Sequence, residues 1–445
     1  MRRRPRRFPL AFTMAAIAAI VFGVARAAHA STGAEDPAIP LLIDLAVILG
    51  AAKLGGWIAT RVGQPAVLGE LVSGIVLGNL WLAGYAGFEP LKQDATLRIL
   101  AELGVIVLLF EVGLESTVRQ MMQVGASALL VAVLGVIAPF FLGWAAGAWL
   151  LPGEGEYVHA FLGAVLCATS VGITARVLRD LNQTHSDEAK IILGAAVIDD
   201  VLGLVILAVV TGIITAADRG GPSLSLVEVL WIAGKAMAFL VSAVVLGALL
   251  APRMFRWVSR VRVRGILLTS GLIFCFVLSW LAARADLAPI VGAFAAGLIL
   301  EAPFLQSFEE SRESSLEELL NPISTFLVPI FFVLTGLRVE LQTFADTRIL
   351  GLAALLTVAA WLGKQACMFG VLTRGVNRLA IGLGMVPRGE VGLIFASIGE
   401  TLTIGGHRVI TPATYSAVVI MVIITTLVTP PALQWSLSRK RSHAS

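Results

Sequence analysis

Apolar runs of about 20 residues follow one another along almost the whole of this 445-residue chain. A helix of that length crosses roughly 30 Å of hydrocarbon at about 1.5 Å per residue. No soluble domain fits between the runs. Hydrophobic residues make up 58% of the chain and charged residues 14%, with a mean hydropathy of +0.90, so the bilayer is the expected solvent. The alternating segments of a membrane β-barrel are absent, and backbone groups in lipid must then be satisfied within helices. The fold class is an all-α polytopic membrane protein.

The first ten residues, MRRRPRRFPL, carry five arginines and lead into an apolar stretch that ends near Ala-His-Ala at 28–30. A basic head, an apolar middle and a small-residue site read as a signal peptide over residues 1–30. Thirteen spans follow, at 39–59, 66–84, 97–115, 124–151, 158–178, 189–216, 226–251, 265–284, 287–305, 321–341, 348–372, 378–400 and 411–436. If Ser31 starts outside, the inside loops hold Arg61, Arg119, Arg176, Arg179 and Lys190, the five arginines between 253 and 264, Arg374, Arg378 and the basic tail at 439–441. The outside loops are poorer in basic residues and include the acidic LPGEGEY at 151–157. That asymmetry is the positive-inside pattern, and it places the N-terminus outside and the tail at 437–445 in the cytoplasm of a bacterial inner membrane. The net charge of +4 is spread over these short loops instead of one face, so no nucleic-acid partner is expected. Only SLSRKRSHAS follows the last span, and no attached nucleotide-binding module is expected.

Cys167, Cys275 and Cys367 lie singly in apolar runs, without CxxC spacing or histidine neighbours, and read as small packing residues. Thirteen is also six plus one plus six. Spans 1–6 and 8–13 could be two halves of inverted topology joined by span 7, an architecture of secondary transporters. Spans 5 and 12 occupy equivalent places, and both look interrupted. CATSVGIT at 167–174 gathers small and hydroxyl residues, while GMVPRGEVG at 384–392 holds Pro387, Arg388, Glu390 and three glycines. Broken helices at matching places point to an ion site near the midplane.

Asp199 and Asp200 lie in the middle of span 6, in GAAVIDDVLGLVILAVV. A charge at the bilayer centre costs at least ~2.5 kcal/mol on insertion scales, so two adjacent carboxylates there need a function. Neighbours on a helix point about 100° apart, so one can be held in protein while the other meets a water-filled cavity. Lys364 in span 11 is too central to reach either interface and needs an anionic partner. A lysine among carboxylates at this depth forms a coupled set able to exchange protons. Pro387, Arg388 and Glu390 are expected to support the broken segment, their charges facing helix dipole ends. Thr169 and Ser170 offer neutral oxygens, which with Asp199 and Asp200 suit a hard cation such as sodium. Glu70, Glu102, Glu111 and Glu115 read as packing or interface residues.

LGELVSGIVLGN at 68–79, LAELGVIVLLFEVGLE at 100–115, ATSVGITARVL at 168–178, VIDDVLGL at 197–204 and MVPRGEVGL at 385–393 resemble the motifs of the second group of the cation/proton antiporter superfamily. The resemblance is strongest to its NapA-type sodium/proton members and runs through nearly all of the chain after residue 38. It implies a homodimer in which helices 1–3 (39–115) and 8–10 (265–341) form the dimer domain. Helices 4–6 (124–216) and 11–13 (348–436) would form a mobile core, with 226–251 as the linker helix. It further implies that Asp200 carries ion and proton in turn, that Asp199 pairs with Lys364, and that the broken spans cross at the site. An aspartate in the first position of the pair favours sodium or lithium and electrogenic exchange.

The expected function is therefore secondary sodium(lithium)/proton antiport by an elevator-like movement of the core, for sodium and pH homeostasis, with no cofactor beyond the transported ions. A potassium/proton exchanger of the same fold is the alternative. An intramembrane aspartyl protease would need its two aspartates on different helices and a GxGD sequence, whereas these are consecutive and that sequence is absent. A receptor without transport gives no reason to bury two acids and a lysine.

Overall fold

The computed structural model describes residues 38–442, apart from 86, 116–124, 182, 184–185, 219–225, 259–262, 264 and 301–314. The proposed signal peptide at 1–30 lies outside the described residues. Fifteen helices are described: α1 (Ala38–Arg61), α2 (Ala66–Gly78), α3 (Ala95–Glu115), α4 (Ala126–Leu150), α5 (Glu156–Cys167), α6 (Val171–Asp180), α7 (Asp187–Asp218), α8 (Leu226–Val258), α9 (Ile266–Arg284), α10 (Pro289–Ile299), α11 (Leu316–Leu337), α12 (Thr347–Gln365), α13 (Arg378–Gly384), α14 (Gly389–Thr401) and α15 (Pro412–Ser442). Each of the thirteen apolar segments read from the sequence contains helix, and the fifth and twelfth contain two helices each.

The count of thirteen crossings is not reached by length and composition alone. Among the described residues eight helices are long and apolar enough to cross a membrane, or nine if α13 and α14, bent by 43°, form one broken span. The shortfall has two causes. Hydropathy cannot see where a helix stops, and α2, α5 and α10 are only 13, 12 and 11 residues long. Helix α3 is long enough but carries Arg98, Glu102, Glu111 and Glu115.

The chain divides into two compact units, one of residues 1–104 with 325–341 and one of 105–324 with 342–445. In the first, small residues let backbones touch: a Cβ on Gly55 would strike the Gly69 carbonyl, and one on Gly74 the Val333 carbonyl. Asn79 fastens the same region. Its Nδ2 donates to the Ile75 and Val339 carbonyls at 2.8 and 2.7 Å, and its Oδ1 accepts from the Leu341 amide at 3.0 Å. Glu70 is buried here, within electrostatic reach of Lys53, and Glu102 makes a long, exposed pair with Arg98 at 3.8 Å.

The second unit is built around α7, the 32-residue helix that carries both aspartates. Helices α4, α5, α6, α8 and α13 all pack on it, and α12 lies between α4 and α15. Beyond α14 a short hairpin pairs Thr403 with Arg408 and Ile404 with His407, across a turn in which Gly405 and Gly406 take positive φ values of 58° and 81°. Asp218, the last residue of α7, accepts hydrogen bonds from the Gly405 amide at 2.8 Å and the Thr403 hydroxyl at 3.4 Å.

Candidate functional site

Helix α5 stops at Cys167 and α6 resumes at Val171, leaving Ala168, Thr169 and Ser170 without helical geometry; α13 stops at Gly384 and α14 resumes at Gly389. Pro387 and the run of glycines explain the second interruption, because proline cannot donate to a helix and glycine favours its ends. The first has no proline. Its donors are instead used on the other chain segment. The Ser170 amide donates to the Pro387 carbonyl at 2.8 Å, the Thr174 hydroxyl to Gly384 at 2.6 Å and the Thr169 hydroxyl to Met385 at 3.5 Å.

The two breaks thus cross with one donating and the other accepting, which satisfies carbonyls that the end of α13 leaves open. The Ser170 hydroxyl also donates to Glu390, in the first turn of α14, where the dipole favours a negative charge. A Cβ on Gly389 would collide with the Ser170 hydroxyl, so only glycine permits this approach.

Arg388 is fully buried in the second break and makes no direct ion pair among the described residues. Its Nη1 donates to Met385 and Val386 at 3.4 and 3.2 Å, and its Nη2 to Ala360 at 3.4 Å. The cation therefore sits against carbonyls at the C-terminal end of α13, where the dipole favours it.

Asp199 and Lys364 are both completely buried, and Lys364 Nζ donates to Asp199 Oδ1 at 2.8 Å. Small residues make room for the lysine. A Cβ on Gly363 would strike Pro139 of α4, and one on Gly135 would lie 2.8 Å from Cys367 Sγ and 3.3 Å from Lys364 Nζ. Asp200, one residue further along α7, is only partly buried, as the 100° step between neighbours allows. It acts electrostatically on Asp199, Glu390 and Lys364.

Asp199, Asp200, Lys364, Thr169, Ser170, Pro387, Arg388 and Glu390 all belong to the second unit. Sequence reasoning missed Thr174, although a hydroxyl four residues beyond Ser170 in a broken segment was a signal for it. It also left Cys167 and Cys367 as packing residues, and both are buried within electrostatic reach of Lys364, Asp199 and Arg388. Glu70 and Glu102 lie in the other unit.

A family profile described as sodium/hydrogen exchanger, transmembrane, matches residues 47–439. The high-affinity Na+/H+ antiporter NhaS3 of Synechocystis is 37% identical, over 88% of this chain and 89% of that protein. The Na+/H+-K+ antiporter GerN of Bacillus cereus is 34% identical, over 89% and 96%. Among solved structures, the sodium proton antiporter MjNhaP1 of Methanocaldococcus jannaschii superposes with a TM-score of 0.65 at 16% identity, covering 88% of this chain and 95% of that one, a likeness of fold.

Proposed function

This chain belongs to the sodium/hydrogen exchanger family, and from that premise we propose that it moves sodium or lithium against protons through Asp200. It is a multi-pass membrane cation/proton antiporter, a secondary transporter and not an enzyme. The observation that carries the site is the unlike fate of two consecutive carboxylates: Asp199 is sealed against Lys364 while Asp200 stays partly open.

In this reading a proton and a cation compete for the Asp200 carboxylate. Loss of the proton leaves an anion for sodium to bind, and departure of sodium leaves it for the next proton. Thr169 and Ser170 lend neutral oxygens, and Pro387, Arg388 and Glu390 hold the crossing in shape. Cation binding at Asp200 loosens the Asp199–Lys364 pair, the lysine gives up a proton, and two protons then exchange for one sodium, so the cycle moves net charge. The core, spans 4–6 and 11–13 of two inverted halves, slides past a dimer domain in a homodimer and carries the site across an inner membrane. The N-terminus faces outside after signal cleavage, the tail faces inside, and no cofactor takes part.

Cation-dependent dequenching of a pH dye in proteoliposomes tests this, with sodium, lithium and potassium compared. Sodium and lithium are expected to move protons at concentrations where potassium does not. The reverse order would favour potassium exchange, a second reading supported by the potassium in the name of the GerN relative. No response to any of the three ions would remove the proposal.

A further inference from the structure

The segment that joins the lysine helix α12 to the broken helix α13 is held from three sides. A 3-10 turn at Ala366–Gly370 follows α12, and the chain then runs without regular structure to Asn377, turning at Gly375 with a φ of 80°. At the near end the Leu372 and Thr373 amides donate to the Ser127 hydroxyl of α4 at 3.1 and 3.3 Å. At the far end the Asn377 amide donates to Glu188 Oε1 of α7 at 2.8 Å. The Asn377 side chain donates to the Ser436 carbonyl of α15 at 2.9 Å and accepts from the Ala380 amide of α13 at 3.1 Å. Ser127, Glu188 and Ser436 are all buried, so the segment is anchored in the interior of the fold.

What the anchored segment presents is chemically mixed. Phe369 and Leu372 are 79% and 58% exposed, at the end of an apolar stretch, Thr347–Gly370, that is long enough to cross a membrane. Arg374 and Arg378 follow them in the chain, are exposed, and make no hydrogen bond or ion pair among the described residues. Other cations of the loops that the sequence assigns to this face are engaged. Arg61 stacks over Trp57 at 4.4 Å from the ring centroid, Lys190 pairs with Asp187 at 3.1 Å, and Arg253 donates to the Leu249 carbonyl at 2.7 Å. Apolar side chains at the end of a span, with free guanidiniums just beyond it, match the order of acyl chain and phosphate at the edge of a bilayer.

We propose that residues 369–378 form a docking surface for anionic phospholipid, with Phe369 and Leu372 against acyl chains and Arg374 and Arg378 each taking phosphate oxygens of a headgroup. The planar fork of arginine suits those oxygens. Because the segment is already fixed by Ser127, Glu188 and Ser436, little ordering entropy is lost when lipid binds. Lipid held there stabilises the ends of α4, α7 and α15 to which the segment is bonded.

The test takes the full-length protein in a neutral detergent and follows its melting temperature as phosphatidylglycerol is added, with phosphatidylcholine of the same acyl chains as the comparison. Phosphatidylglycerol is expected to give the larger rise. Arg374→Gln and Arg378→Gln should each raise the half-saturating lipid concentration about fivefold, the order of one basic residue at an anionic surface. Arg253→Gln, which removes a guanidinium already bonded to a carbonyl, should leave it near the wild-type value. Equal losses from all three substitutions would reduce the effect to overall charge and overturn the proposal. Equal stabilisation by phosphatidylcholine would overturn it too, and so would the same rise with inorganic phosphate alone, since the occupant would then be a free anion. Should the variants fail to fold, a photoactivatable phosphatidylglycerol applied to the unaltered protein decides. Adducts on residues 369–378 support the surface, and adducts confined to other segments end it.

Discussion

The two sides of the site start from neighbouring residues on one helix, Asp199 and Asp200, and yet have opposite character. On the sealed side, Asp199, Lys364 and Arg388 have no exposed surface; Lys364 is bonded to Asp199, and the Nη atoms of Arg388 are bonded to carbonyls. On the open side, Asp200 and Glu390 are only partly buried. A charge that must bind and release ions needs a path to water, whereas a charge that sets the local field is best kept away from it. Under the proposed function, exchange belongs to the open side and fixed electrostatics to the sealed one.

The largest expected effect breaks the open side. Asp200→Asn should abolish sodium-driven proton movement in proteoliposomes while leaving the melting temperature nearly unchanged, because a half-buried carboxylate without a direct ion pair contributes little to folding. Exchange at wild-type rate would move the carrier role elsewhere. Lys364→Gln attacks the sealed side, and there the order of effects should reverse. It leaves Asp199 buried without its cation, which is expected to cost about 3–5 kcal/mol of stability, with any surviving transport insensitive to voltage. Wild-type melting together with wild-type currents on a solid-supported membrane would make the lysine a bystander.

Gly135→Ala presses on the sealed pair without removing it. The new Cβ falls 2.8 Å from Cys367 Sγ and 3.3 Å from Lys364 Nζ. Overpacking of this kind costs about 1–3 kcal/mol, and a thermal-unfolding shift of zero would show that the lysine has room to move. The smallest effect belongs to Thr174→Val at the crossing, which takes the hydroxyl from the Gly384 carbonyl. About 1 kcal/mol of stability should be lost with sodium affinity changed less than about twofold, since the Thr174 hydroxyl is committed to the Gly384 carbonyl at the break. A sodium affinity weakened tenfold would draw it into the open side.

Much of the site could be read along the chain because its parts violate the rules for lipid-facing helix. Two carboxylates and a lysine in apolar runs, and a Pro-Arg-Gly-Glu segment where helix should continue, are conspicuous against hydrocarbon. Thr174, Cys167 and Cys367 were not conspicuous, since hydroxyls and thiols are common in buried helices and only their partners distinguish them. Length and composition alone stop short of thirteen crossings for a related reason. Hydropathy averages over about 19 residues, and α2, α5 and α10 end well inside that window.

The sequence by itself determined that this chain is an all-helical membrane protein of the exchanger family, with intramembrane charges at Asp199, Asp200, Lys364, Arg388 and Glu390. These are properties of composition and period, and they need no knowledge of what touches what. The pairing of Asp199 with Lys364 was implied by the family resemblance, but only the tertiary structure decided that the pair is fully buried, that the first break donates and the second accepts, and that Arg388 rests on carbonyls instead of a carboxylate. The physical reason is that the hydrogen bonds of the buried pair and of the crossing breaks join residues 165 to 220 positions apart in the chain. Those partners are chosen by the way α4, α7 and α12 pack, at glycines whose missing side chains no local pattern reveals.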